Sequence, residues 1–246
     1  MLGEIILQSF GLRTIAASDK RESLINGVPV KLHGVNHHDT NPARGWCQSA
    51  AELRADLLLM KKLNITCVRT SHYPSSPVFL ELCDQLGFYV VLETDIETNC
   101  AITRFPEAPY IFDTDAGDWP CTRLEWKTEF LERMQRAVLR DRNQCSIVFC
   151  LTGNECGYGD NQRAMLRWLK TLDDGRLRHC EDAPRAEDRN DVEWMWCHIC
   201  IRVFPTSCRW RATWRFGFPS FSANTRTPWA TSPARASRQT PAPAAP

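Results

Sequence analysis

Residues 145–161 read CSIVFCLTGNECGYGDN. An apolar run, Ile147 to Leu151, stops abruptly at Gly153, Asn154 and Glu155, and Gly157 and Gly159 follow. The run is continuous rather than alternating, which is the pattern of a parallel strand covered on both faces. It ends in an amide and a carboxylate. A strand that delivers polar groups at its C-terminal end is the habit of folds that assemble a site from many strand ends.

Working outward, the same pattern recurs. ESLINGVPVKLHGVNHHDTNP (22–42) reads as two short strands around the Asn26-Gly27 turn, a strong hairpin signal. The second of them, Val30 to Val35, runs into Asn36, His37, His38 and Asp39. SAAELRADLLLMKKLN (49–64) is helical, with Ser49 as cap, Glu52 three residues on, and Leu53, Leu57 and Met60 at helical spacing. ITCVRTSHYP (65–74) is a short strand ending in Arg69, Ser71 and His72, and SPVFLELCDQLG (76–87) is a helix closed by Gly87. FYVVLETDIETN (88–99) is a third strand running into Glu93, Asp95 and Glu97. A loop rich in Pro, Gly and Asp follows, from about 99 to 126. Then come a helix over KTEFLERMQRAVLRDRN, the strand of the opening stretch, a helix over NQRAMLRWLKTLD, and RLRHCED as a candidate fifth strand.

Strand and helix in alternation predict a parallel sheet of βα units. A doubly wound sheet gathers its ligands at one switch point, usually beside a glycine-rich first turn; no GxGxxG or P-loop pattern is present. The expected fold class is therefore α/β, a (β/α)8 TIM barrel. Only about the first half of such a barrel is legible, followed by an irregular C-terminal tail.

Composition bounds the alternatives. The 246 residues carry a formal charge of +1, with 43% hydrophobic and 24% charged residues, which are globular values. No apolar run reaches the roughly 20 residues of a membrane helix, and MLGEIILQSF lacks the basic start and long apolar core of a signal peptide. Twelve cysteines include no pair of CxxC motifs, and Cys67, Cys83 and Cys150 sit inside apolar runs as small hydrophobes. The reading is a reducing cytoplasm without a disulfide framework or a zinc site.

Each strand-end residue has a plain reading beside the chemical one. Glu155 could merely cap the next helix, His38 and His72 could be satisfied polar residues, and Glu97 could be solvated. Asn154 strengthens the chemical case, because an amide can hold a sugar hydroxyl while the neighbouring carboxyl protonates a leaving oxygen. A barrel brings successive strand ends together, so their coincidence counts for more than any one of them.

GVNHHDTNP, VRTSHYPSSPVFLELCDQLGFYVVLETDIET and DRNQCSIVFCLTGNECGYGDN resemble the barrel domain of glycoside hydrolase family 2, and most of all its β-galactosidases. The resemblance runs from about Phe10 to Asp191 and is weakest after Asn99. It implies a retaining hydrolase of terminal β-galactosides, with a small β-galactoside such as lactose as partner. Glu155 matches the general acid/base and Asn154 the neighbour that binds the sugar 2-hydroxyl. His38 and His72 match histidines that contact sugar hydroxyls. Glu97 matches a ligand of the site magnesium, which Glu155 also touches in bacterial members; hard cations of this kind take oxygen ligands. The family often has His where this chain has Asn99, so the ion would be held weakly or lost. Family members are often homo-oligomers, and neither nucleic acid nor membrane is implied. EIILQSFGLRTIAAS looks like the last strand of a preceding β-sandwich, which gives an expected division into a remnant at 1–20, a partial barrel at 21–190 and a tail at 191–246.

Retaining glycosidases need two carboxyl groups roughly 5 Å apart. The family nucleophile lies in a strand reading like L-C-E-Y-A-H-A-M-G-N, and no such segment occurs here. After Glu193 there is no Asp, Glu or Lys, while seven Arg and five of the nine Trp fall in that tail. Trp and Met have single codons, so Trp194-Met195-Trp196-Cys197 fixes a message that, read from each third base, gives Asp-Val-Val, as in the family. In the same shifted frame, Phe221 to Ser232 can encode L-C-E-Y-A-H-A-M-G-N. The expectation is an out-of-frame, disordered tail and a chain without a nucleophile. A galactose-binding remnant without turnover is the alternative. A nucleic-acid binder using the Arg/Trp tail is disfavoured, because seven Arg among many Pro and no Lys make a weak basic surface. Resequencing the coding DNA beyond codon 191 should reveal the shifted reading frame. A tail peptide found by mass spectrometry in the natural protein would contradict a sequencing origin.

Overall fold

The computed structural model describes residues 9–19, 22–98, 119–172 and 174–183. Asn99 and the tail from residue 191 therefore lie outside the described residues. All the described residues belong to the first of two compact units, Met1–Arg202.

The hairpin forms at Asn26-Gly27, where both residues take positive φ, 51° and 77°. Glycine does so freely and asparagine more readily than most. Three short strands, β1 (Ile15–Ala17), β2 (Ser23–Ile25) and β3 (Val28–Val30), make an antiparallel sheet in that order. The expected boundary at residue 20 falls between β1 and β2, inside this sheet. The single strand expected over Val30 to Val35 is in fact divided. Val30 ends β3, and Gly34–His37 forms β4 in a different, parallel sheet. The chain changes sheets over residues 31–33, and period-two patterning cannot mark such a change when both pieces are apolar.

The second sheet has five parallel strands in sequential order: β4, β5 (Cys67–Thr70), β6 (Tyr89–Glu93), β7 (Ile147–Leu151) and β8 (Leu177–His179). Each strand pairs with the next in the chain and the order never reverses. That is how a barrel wall runs, whereas a doubly wound sheet must reverse at a switch point. The helices are α1 (Ala50–Lys62), α2 (Pro77–Leu86), α3 (Lys127–Arg140) and α4 (Asp160–Thr171). The helix α1 starts with the full capping box of Ser49 and Glu52, which satisfies two backbone donors that the first turn leaves unpaired. Gly87 closes α2 at φ 67°.

Alternation along β5 and β6, interrupted by a register shift where β6 meets β7, separates two apolar clusters. Val68, Val90, Leu92, Ile147 and Cys150 face the helices, packed with Leu57, Phe79, Leu80, Met134, Met165 and Leu166. Cys67, Val91, Phe149, Leu151 and Leu177 face the other way, with Ile15, Ile25 and Val30 of the hairpin sheet packed against them. Arg13 donates to the carbonyl of Ile147 at 2.6 Å. This holds the β1 segment at the N-terminal start of β7, so the hairpin sits at the bottom of the wall and leaves the C-terminal strand ends clear. The described cysteines are all free. Burial pushes the Cys150 and Cys180 thiols up to about 12, so they pack as hydrophobes rather than react as thiolates. No described helix is long and apolar enough to cross a membrane.

Candidate active site

Period two puts Arg69 on the same face of the sheet as Cys67, and Glu93 on the same face as Val91. Both side chains therefore emerge on the inner side at the C-terminal ends of adjacent strands. Arg69 Nη2 donates to Glu93 Oε1 at 2.9 Å, and Arg69 Nε lies 2.8 Å from Glu93 Oε2. The Arg69 side chain is 3% exposed and that of Glu93 0%. A planar guanidinium meets a carboxylate edge to edge in this way, and a desolvated pair of this kind tolerates little displacement. The Glu93 backbone N–H is also tied to β5, donating to Thr70 Oγ1 at 2.9 Å.

Two of the sequence-identified residues hang on this pair. Arg69 Nη2 also donates to Asn154 Oδ1 at 3.0 Å, and His72 Nδ1 lies 3.1 Å from Glu93 Oε1. An ionised carboxylate only accepts, so His72 Nδ1 carries the proton. The bond to Glu93 raises the His72 pKa above its ordinary value, against the opposing effect of burial. His38 behaves oppositely: desolvation and the neighbouring His72 lower its pKa. The two rings meet edge to face with centroids 5.5 Å apart. The pair thus offers one imidazole that favours the charged form beside one that favours the neutral form.

Asn154 Nδ2 donates to Glu97 Oε1 at 3.1 Å, and the Asn154 backbone N–H donates to the Ile96 carbonyl at 2.9 Å. These contacts bring the loops after β6 and β7 into register. They require glycine at 153: its φ is 136°, and a Cβ there would lie 2.3 Å from the Ile96 carbonyl oxygen. Glu155 follows at φ 42° and is half-buried. Glu181, just beyond β8, reaches to 3.8 Å from Arg69.

Five sequence-identified residues, Glu155, Asn154, His38, His72 and Glu97, thus sit on the C-terminal loops of adjacent strands; a hydrogen bond joins Asn154 to Glu97, and a ring contact joins His72 to His38. Arg69 and Glu93 are visible in the sequence as strand-end polar residues, but nothing there sets them apart from their neighbours; their pairing follows from strand parity. Glu181 had no distinguishing signal. For magnesium, the described residues gather no group of three or more His, Cys, Asp or Glu side chains able to hold an ion, and Glu97 already accepts the Asn154 amide. The described residues thus fall short of a coordination shell.

Residues 16–215 match the family model for glycosyl hydrolases family 2, TIM barrel domain. The chain belongs to this family. Among curated relatives, the β-galactosidase of Actinobacillus pleuropneumoniae is 37% identical over 209 residues, covering 77% of this chain and 21% of that protein. The β-galactosidase of Arthrobacter sp. (strain B7) is 40% identical over 178 residues, covering 72% of this chain and 16% of that one. This chain spans about a fifth of the length of these relatives. Among solved structures, a glycosyl hydrolase family 2 member from Bacteroides cellulosilyticus aligns with TM-score 0.53 at 26% identity, over 70% of this chain and 21% of that one. A β-D-glucuronidase from Dictyoglomus thermophilum aligns with TM-score 0.55 at 24% identity, over 70% and 29%, and shows the fold alone.

The His72–Glu93 contact has a pH signature. A pKa raised by folding contributes stability that is complete below the ordinary value of 6.5 and is lost as pH rises through the higher native value. The urea midpoint of the wild type should therefore exceed that of His72→Gln by a margin that shrinks as pH climbs through and above that ordinary value. A margin independent of pH would show that the contact is not a charged one.

Proposed function

We propose that this chain is the acid/base half of a β-galactosidase-like retaining glycoside hydrolase, and that it holds galactose without turning β-galactosides over. The carrying observation is the network in which Arg69 and Glu93 hold Asn154 and His72 beside Glu97, immediately next to Glu155.

In this reading Glu155 protonates the glycosidic oxygen as the bond to the anomeric carbon breaks. Asn154 spends one lone pair of its oxygen on Arg69 and one amide hydrogen on Glu97. Its remaining acceptor and donor capacity suits the sugar 2-hydroxyl. His72, anchored through Nδ1, has Nε2 left for a sugar hydroxyl, as an acceptor when the ring is neutral and as a donor when it is charged, and His38 stands beside it as a second contact for sugar hydroxyls.

A galactoside is favoured over a glucuronide by two facts. The curated relatives at 33–40% identity are β-galactosidases. The buried guanidinium of Arg69 is committed to Glu93 and Asn154, and so is not offered to a uronate carboxylate.

Retention needs a second carboxyl group to form the glycosyl-enzyme. Glu93 is fully buried and held by both Arg69 and His72, while Glu97 accepts from Asn154. Neither is placed to attack carbon. The nucleophile belongs to the segment that the shifted frame would encode after residue 220, which leaves this chain a galactose-binding remnant. A magnesium ion at Glu97 and Glu155 would need ligands from beyond the described residues.

The purified chain should bind galactose in calorimetry and should cleave nitrophenyl β-galactoside no faster than a Glu155→Gln control. Turnover well above that control contradicts the missing nucleophile, and absence of galactose binding contradicts the site.

A further inference from the structure

The loop after β4 is held from three sides at one residue. Asp39 Oδ2 accepts the Ser76 backbone N–H at 2.9 Å. Ser76 caps α2, its hydroxyl accepting the Phe79 backbone N–H at 3.2 Å. Asp39 Oδ1 lies 3.3 Å from His37 Nδ1, and the His37 ring is stacked on Phe79 with centroids 4.4 Å apart. The Asp39 backbone N–H donates to the Tyr73 hydroxyl at 2.8 Å. Burial works to raise the Asp39 pKa, but the contacts with His37 and the Ser76 amide outweigh it and hold the carboxyl below its ordinary value. At neutral pH it is an ionised acceptor, which makes the stronger kind of hydrogen bond. His38 stands between these two anchored residues, His37 and Asp39. Its ring meets that of His72 edge to face and tilts against Tyr73 at 6.1 Å between centroids. The Tyr73 ring in turn lies 5.2 Å from that of Trp46, which the loop reaches after closing through the Asn41–Gly45 bridge. The His38 ring is thus placed by its chain neighbours and by two other rings.

We infer that Asp39 and the Tyr73 hydroxyl are positioning residues of the sugar site, acting through His38 to set which hydroxyl of a galactoside that imidazole reads. This rests on the galactoside reading above and deepens it. Asp39 turns its two oxygens to Ser76 and His37, and the Tyr73 hydroxyl accepts from Asp39, so both act on the loop rather than on the sugar. A hydrogen bond weakens steeply as its angle opens. A small movement of the loop therefore takes His38 off its hydroxyl. Asn154 is held separately, by Arg69 and Glu97, and keeps its own contact. The effect of loosening the loop is confined to one hydroxyl, which separates positioning from a general structural role.

The test is calorimetry on the full chain with galactose and its monodeoxy analogues. Wild type should bind the analogue that lacks the His38-held hydroxyl about three- to tenfold more weakly than galactose, the range of one hydrogen bond. His38→Ala should remove that penalty, and so identifies the hydroxyl. Asp39→Ala and Tyr73→Phe should each weaken galactose and shrink the penalty for the same analogue, with the penalties for the other analogues unchanged. Asp39→Asn keeps an acceptor for the Ser76 amide and should retain part of the penalty. Should Asp39→Ala fail to fold, Tyr73→Phe removes a single hydroxyl and carries the test by itself. A common factor of weakening for every sugar assigns the two residues a structural role only and overturns the inference. Unchanged affinities overturn it too, as does a wild type in which no penalty depends on His38. Each of these leaves galactose binding standing. Failure of wild type to bind galactose overturns the galactoside reading and this inference with it.

Discussion

The site depends on one desolvated charge pair. Arg69 and Glu93 leave adjacent strands on the inner face of the sheet and bury each other almost completely. Neither charge could stay there alone, since removing one partner of such a pair typically costs about 3–5 kcal/mol. The constraint acts on geometry as much as on energy. The fork of Arg69 fixes where Asn154 can accept, and Glu93 Oε1, which also accepts from Arg69, fixes the ring of His72. Through Asn154 the constraint reaches Glu97 and the loop after β6. The residue expected to give up a proton, Glu155, is next in the chain to an amide whose position is determined twice over.

Much of this was legible in the amino-acid sequence because several of its signals are local. The Ser49–Glu52 capping box, the Asn26-Gly27 turn and the Gly87 helix stop each depend on a few neighbouring residues, and each has the expected structure. The parallel order followed from apolar strands alternating with helices. The break between β3 and β4 was not legible, because Val30 and Val35 suit a strand equally well in either sheet. Nor was the importance of Arg69 and Glu93. Sequence shows that polar residues gather at strand ends, but the choice between Glu93 and Glu97 as the inner carboxylate turns on where β6 stops. Glu93 is its last residue and shares the inward parity of Val91, whereas Glu97 lies on the loop beyond.

The two sides of the site are built differently. The acid/base side is drawn in from β5, β6 and β7 by buried polar contacts, as charged chemistry in a dry setting requires. The outer side, from His38 through Tyr73 to Trp46, is assembled from rings on loops that hydrogen bonds hold still.

The most direct measurement of the central claim is a double-mutant cycle on unfolding free energy with His72→Ala and Asn154→Ala. The two side chains are joined through Arg69 and Glu93. If that pair organises the site, the two losses should be coupled by more than about 0.5 kcal/mol, as residues of one network are. Losses that add to within about 0.3 kcal/mol would mean that the strand ends are set independently, and would contradict the account.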